Sequence, residues 1–129
     1  MDFRRLRNWS RRIGRRGENA AVDLLIDKNI QILARNCRIA PHCGEVDVIA
    51  LDGETLVFVE VKTRYLKGSP RENLSEEQKK RIRRAAGTYL SILEAPGFKI
   101  RFDLIEVIAG RFGSIRSIHH HQNAFGRKG

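Results

Sequence analysis

Asp47 and Glu60 lie thirteen residues apart in two stretches that read as neighbouring strands, and Lys62 follows Glu60 by two positions. The local sequences are Gly44-Glu45-Val46-Asp47 and Phe58-Val59-Glu60-Val61-Lys62. Strand side chains alternate between faces, so Glu60 and Lys62 share one face while Val57, Val59 and Val61 enter the opposite layer. If the strand carrying Asp47 pairs alongside, two carboxylates and one ammonium converge. That set suits a hard divalent cation and a water held near a phosphate. A charged strand end on a solvated face would need no such explanation, and Asp47, just past a turn at Gly44, fits that description in part. Glu60 and Lys62 do not. Leu56 to Val59 and Val61 form the nearly continuous apolar run of a strand buried on both faces, where an unpaired charge is costly.

Positioning these groups requires a defined set of elements. From Arg11 to about Lys28, Ile13, Gly17, Ala20, Ala21, Leu24 and Leu25 recur at helical spacing. Glu18 borders that stripe, between core and solvent. Asn29 is the expected stop, and Ile30 to Ala40 contains a strand with an irregular Arg35-Asn36 step. Pro41 and Gly44 bracket a turn, Glu45 to Leu51 reads as the second strand, and Asp52-Gly53 as the hairpin into a third strand, Thr55 to Thr63. Tyr65 to Leu74 is the longest irregular connection, expected to be a substrate-facing loop. Ser75 and Gln78 form a Ser-x-x-Gln capping box for a helix running to about Leu93, which Ala95-Pro96-Gly97 ends. Phe98 to Ala109 is a further strand, and Ser114 to His119 an edge strand.

Length sets the scale: 129 residues support one core and one domain. Its expected margins are a basic extension over about residues 1–10 and a flexible tail over about 120–129. Lysine and arginine number 25 against 15 acids, a formal charge of +10 with pI near 10.4, so polyanions are the expected partners. The cations cluster. Arg4, Arg5, Arg7, Arg11, Arg12, Arg15 and Arg16 crowd the first segment, and Lys79, Lys80, Arg81, Arg83 and Arg84 form a second run. Solvated helical faces that aid solubility would look the same. No apolar window approaches a membrane span, and nothing resembles a secretory apolar core with a cleavage site. Cys37 and Cys43 are too few for a disulfide framework and fit a reducing cytosol. With His42 they supply only three ligands without paired zinc spacing. His119, His120 and His121 are expected on an exposed tail or strand edge.

The order helix, three strands, helix, strand, with Asp on the second strand and Glu-x-Lys on the third, resembles the PD-(D/E)xK nuclease superfamily, which includes restriction enzymes and archaeal Holliday junction resolvases. Gly17-Glu18, Ala34-Arg35-Asn36, Gly44 to Ala50, Phe58 to Arg64 and the Lys79 to Leu90 helix look more specifically like the bacterial YraN family. Val46 departs from the superfamily pattern, which often has Pro before its Asp. The resemblance implies an α/β, restriction endonuclease-like core in the order αβββαβ, with a central mixed sheet of four to five strands flanked by helices. By the same resemblance, Asp47 and Glu60 would bind Mg²⁺ or Mn²⁺, with the Val61 carbonyl as a third oxygen ligand, and Lys62 would orient or help deprotonate the attacking water. Glu18 would complete the metal shell or hold its water, unless it simply pairs with Arg15. Gln78 and Glu45 would stand farther out. Arg11, Arg12, Arg15, Arg16, Arg64, Lys79, Lys80 and Arg83 are the candidate nucleic-acid contacts. The implied activity is Mg²⁺-dependent endonucleolytic hydrolysis of phosphodiesters in the cytoplasm, in DNA ahead of RNA and in branched or junction DNA among substrates, with a homodimer left open. The competing readings are a non-catalytic binding module with a vestigial site and a small basic structural or ribosome-associated protein.

Overall fold

Alternating apolar residues organise the middle of the chain into a hairpin, and everything else packs around it. The computed structural model describes residues 3–39, 45–65, 74–94 and 97–125. Its elements are α1 (Phe3–Asp27), β1 (Gln31–Arg38), β2 (Glu45–Asp52), β3 (Thr55–Tyr65), α2 (Glu76–Ile92), β4 (Lys99–Ala109), a short 3₁₀ turn (Arg111–Gly113) and β5 (Ile115–His121). The five strands form one sheet in the order β1-β2-β3-β4-β5. Every pairing is antiparallel except β3 with β4. Parallel neighbours need a crossover, and α2 supplies it.

The sheet is buried on both faces. Ala21, Val22 and Leu25 of α1 cover Val48, Ala50, Val57, Val59, Val61, Ile105 and Val107. On the other face Ile82, Ala85 and Ala86 of α2 cover Ile49, Leu56, Phe58 and Phe102. Phe58 sits at the centre of this layer, with Tyr89 edge-on at 5.9 Å and Phe102 at 5.8 Å. The valines of β3 therefore lie under α1, and Glu60 and Lys62 belong to the opposite face, as the alternation requires.

Helix ends follow their local chemistry. Asn29 takes a left-handed φ of 62° and closes α1, while Ile30 N–H donates to Leu25 O and Asn29 N–H to Ile26 O, both at 2.9 Å. This is a Schellman cap, with Ile30 and Leu25 meeting in the same core. At α2, Gln78 N–H donates to Ser75 Oγ at 3.1 Å and Ser75 N–H to Gln78 Oε1 at 2.9 Å, which completes the expected capping box.

One expectation is corrected. Asp52 pairs with Thr55, so the hairpin loop is Gly53-Glu54 and not Asp52-Gly53; Gly53 has the positive φ, 60°, that this turn needs at its first position. The basic stretch expected as an extension over about residues 1–10 is helical from Phe3, the start of α1. Of the segment expected as a tail from about 120, β5 runs to His121, Ala124 N–H donates to Phe102 O at 2.8 Å and Phe125 is buried against the Phe102 ring, while residues 126–129 lie outside the described residues. The Pro41 to Gly44 turn, His42, Cys43, most of the Tyr65 to Leu74 connection and Ala95-Pro96 lie outside the described residues.

Candidate active site

The β2–β3 ladder runs from Asp52↔Thr55 to Val48↔Val59 and then opens. One more step in register would set Asp47 against Glu60. β2 nevertheless stays paired with β1 there, through Cys37↔Val46 and Arg38↔Glu45. Val46 packs on the α2 side although Val48 packs under α1, so the regular alternation breaks at Asp47. Freed from the ladder, Asp47 reaches across the gap. Its Oδ2 accepts the Val61 N–H at 2.8 Å, a bond that substitutes for the missing strand partner. Gly17 lets α1 approach this end of β3, since a Cβ at that position would collide with the Thr63 side chain. Glu18, the next residue on the helix, places its charge within reach of both carboxyls.

The electrostatics follow from this geometry. Burial pushes the Asp47 carboxyl up from 3.8 to about 6, although the Val61 N–H opposes the shift; the charge of Glu18 adds to it. Burial also pushes Glu60 up, from 4.5 to about 8, reinforced by the neighbouring Asp47 and offset in part by Lys62. Near neutral pH the pair therefore holds one proton, and the protonated Glu60 donates it to the Asp47 carboxylate. Two acids reluctant to ionise together, beside a single ammonium, form a site that lacks positive charge.

That deficit is what a divalent cation would relieve, so the donor set fits one. Among the described residues no group of three or more His, Cys, Asp or Glu side chains is gathered as a metal cage. Two carboxylates suit Mg²⁺, which keeps several waters and takes its remaining ligands from substrate phosphate.

The other sequence candidates divide. Glu45 is exposed at the start of β2. Gln78 has both its backbone N–H and its side chain engaged in the α2 cap. Arg64 binds Glu106 through Nε at 2.8 Å and is only 12% exposed in its side chain, and Arg83 donates from Nη2 to Phe125 O at 2.9 Å. Both therefore have structural partners. Lys79 pairs with Glu76 at 3.2 Å, and Lys80 is exposed. Arg15 and Arg16 are exposed on α1, Arg16 with its Nη1 donating to Gly113 O at 3.4 Å; the side chains of Arg11 and Arg12 lie outside the described residues.

Sequence reasoning missed a second charged cluster. Asp103 of β4 is fully buried. Arg101 donates to it from Nε at 2.9 Å and from Nη2 at 3.1 Å, and also to Asp52 at 3.0 Å. Asn123 N–H donates to Asp103 Oδ1 at 2.9 Å. The Lys28 ammonium donates to His120 Nδ1 at 2.8 Å, leaving Nε2–H to donate to Asp103 Oδ2 at 2.8 Å. Burial opposes the charge on Asp103, but His120, Arg101 and Asn123 outweigh it and hold its pKa below the ordinary value. The histidine run thus lies on the expected edge strand, with His120 turned inward and His121 on Glu106 at 2.8 Å. An acid between Phe102 and Leu104 in an apolar strand was the available signal, the same one that marked Glu60.

A mixed five-stranded sheet with a helix on each face, broken at the acid of its second strand, is a restriction endonuclease-like core. The chain belongs to UPF0102, an uncharacterised protein family whose model matches residues 17–107, and this agrees with the YraN-like resemblance. A UPF0102 protein of Chlorobium phaeobacteroides (strain BS1) is 47% identical over 119 residues, covering 88% of this chain and 93% of its own. One from Symbiobacterium thermophilum is 43% identical over 118 residues, covering 90% and 98%. A third, from Chlorobaculum tepidum, is 46% identical over 99 residues and 75% of each chain. Among the described residues no helix is long and apolar enough to cross a membrane.

Proposed function

We propose that the protein is a Mg²⁺- or Mn²⁺-dependent nuclease that hydrolyses phosphodiester bonds, DNA ahead of RNA. One observation carries the reading: Asp47 and Glu60 stand together and partly buried where the β2–β3 ladder opens beside Lys62, with burial pushing both carboxyls up from their ordinary values. A structural ion pair would set acid against base in equal number. Here the acids outnumber the base, the arrangement that awaits a cation.

In this reading Asp47 and Glu60 would hold the ion, with the Val61 carbonyl a further oxygen ligand and Glu18 of α1 completing the shell or holding water there. The ion, when bound, would lower the pKa of a coordinated water and neutralise charge on the phosphate. Asp47 keeps its orientation through the Val61 N–H. Glu60 would have to be deprotonated to serve as a ligand. Lys62, on the same strand face as Glu60, orients the attacking water and steadies the developing negative charge. The exposed arginines of α1 supply the polyanion-binding surface that the +10 charge implies.

The test is a panel of labelled duplex, single-stranded, flap and four-way-junction substrates incubated with Mg²⁺ or Mn²⁺. Divalent-dependent cleavage of at least one is expected. Binding without cleavage of any would favour a docking module that does not use its acid pair.

A further inference from the structure

We infer that Phe112 is a stacking wedge for an unpaired nucleobase, so that the substrate class is nucleic acid with flipped, frayed or branched positions and not uniform duplex. The inference rests on the nucleic-acid reading above and goes beyond it in naming what is recognised.

Phe112 is 92% exposed, the largest exposure among the big apolar side chains described. It also has a left-handed backbone, φ 62° and ψ 20°, which is unfavourable for a bulky residue. A bare aromatic ring held in a strained conformation is disfavoured twice, once by hydration and once by backbone sterics. The surrounding turn fixes it there. Gly110 N–H donates to Ser114 O at 2.7 Å, Gly113 N–H to Gly110 O at 3.3 Å, and Ser114 Oγ–H to Arg111 O at 3.1 Å.

The ring has cationic surroundings. Arg111 and Arg116 flank it in the same hairpin and are exposed. The Arg116 side chain crosses the turn so closely that a Cβ on Gly110 would stand 2.8 Å from its Cγ. Arg16 of α1 reaches Gly113 O with Nη1 at 3.4 Å, which joins the basic helix to the turn that presents Phe112. Arginines that hold a phosphate chain beside an exposed aromatic face are the two halves of a single-strand platform.

Its placement relates it to the acid pair. In the parallel β3–β4 register Glu60 pairs with Leu104 and Tyr65 with Ala109, so the turn after Ala109 lies beyond that end of the sheet, with Phe112 eight residues past Leu104. The strand from Leu104 to Ala109 alone spans about 16 Å at about 3.3 Å per residue, about five base steps at 3.4 Å each, and the turn adds to that. A phosphate at Asp47 and Glu60 and a base on Phe112 would therefore lie more than about five base steps apart on one strand.

The test measures binding in EDTA, so that it does not depend on cleavage. Duplex, flap and four-way-junction DNA carrying 2-aminopurine at successive positions near the branch are titrated with wild type, Phe112→Ala, Phe112→Trp and Phe112→Gly. Wild type should favour the flap or junction and perturb the fluorescence of one or two adjacent positions. Phe112→Ala and Phe112→Gly should weaken branched-DNA binding about tenfold, leave duplex binding nearly unchanged and lose the fluorescence signal, while Phe112→Trp retains both. Phe112→Gly should also melt no lower than wild type, since glycine relieves the positive φ. Equal loss on duplex and branched DNA, or no loss on either, overturns the wedge. A change in sedimentation of Phe112→Ala also overturns it, because the ring would then belong to a self-contact. Absence of any wild-type binding overturns both the wedge and the nucleic-acid reading; binding with the wedge signature but no cleavage in Mg²⁺ or Mn²⁺ overturns the nuclease reading alone.

Discussion

Asp47 Oδ2 accepts the backbone N–H of Val61 at 2.8 Å, so a side chain of one strand occupies the place where a main-chain partner of the next would be. The bond joins local structure to function. It satisfies an amide orphaned by the opening of the ladder, and it fixes a carboxylate beside Glu60 that would otherwise be free to turn to solvent.

The two obvious replacements of Asp47 should therefore behave differently. Asp47→Asn keeps an oxygen that can accept from Val61 and should fold with nearly unchanged stability. Asp47→Ala leaves that N–H without its partner and should lose about 1–3 kcal/mol. Urea denaturation of the purified variants reads the difference; equal stability would mean that water replaces the carboxylate without penalty.

Both acids bind their proton more tightly folded than unfolded, Asp47 at about 6 against 3.8 and Glu60 at about 8 against 4.5. The folded state therefore carries more protons across that range, and the pair's contribution to stability falls as pH rises from about 4 and levels off above about 8. Glu60→Gln removes one of the opposed charges. It should match wild type near about pH 4 and exceed it by on the order of 2 kcal/mol near about pH 9. Added Mg²⁺ should stabilise wild type at alkaline pH and leave the variant unmoved. Thermal melts across pH, with and without the ion, check both signs.

Lys62→Ala should lower turnover by about a hundredfold while Mg²⁺ affinity holds or rises, because the ammonium acts on water and phosphate and repels the cation. Single-turnover rates set against calorimetric metal titration separate the two effects. A loss confined to nucleic-acid affinity would make Lys62 a docking residue.

Neutralising Arg15 and Arg16 should flatten the dependence of log affinity on log salt by up to about 0.9 per lost phosphate contact and weaken binding across sequences alike. Arg83→Ala should act differently. Its guanidinium holds Phe125 O at 2.9 Å, so it should lower stability by about 1 kcal/mol and leave the salt slope in place.

Features carried by neighbouring residues were the most legible. Alternation in Phe58 to Lys62 separated the valines under α1 from the Glu60 face, and Ser75 with Gln78 announced the helix cap. The hairpin brought Asp47 and Glu60 together as expected. Features made by distant pairing were less legible: Asp103 meets His120 only because β4 pairs with β5, and Arg64 meets Glu106 only across the parallel β3–β4 seam. Charge alone did not distinguish Arg64, Arg83 and Arg16, which hold Glu106, Phe125 O and Gly113 O, from Arg15. The strained turn at Phe112 had no signature either, since Arg111-Phe112-Gly113 gives no local reason for the phenylalanine to take the positive φ.

The most direct measurement is cleavage of a labelled flap or four-way junction in Mn²⁺ by wild type, Asp47→Asn and Glu60→Gln, purified identically and shown to be folded. The acid-pair account predicts divalent-dependent product from wild type, abolished by EDTA, and at least a thousandfold less, on the order of 4 kcal/mol of barrier, from either variant. Cleavage by a folded variant at the wild-type rate would contradict it and place the activity elsewhere.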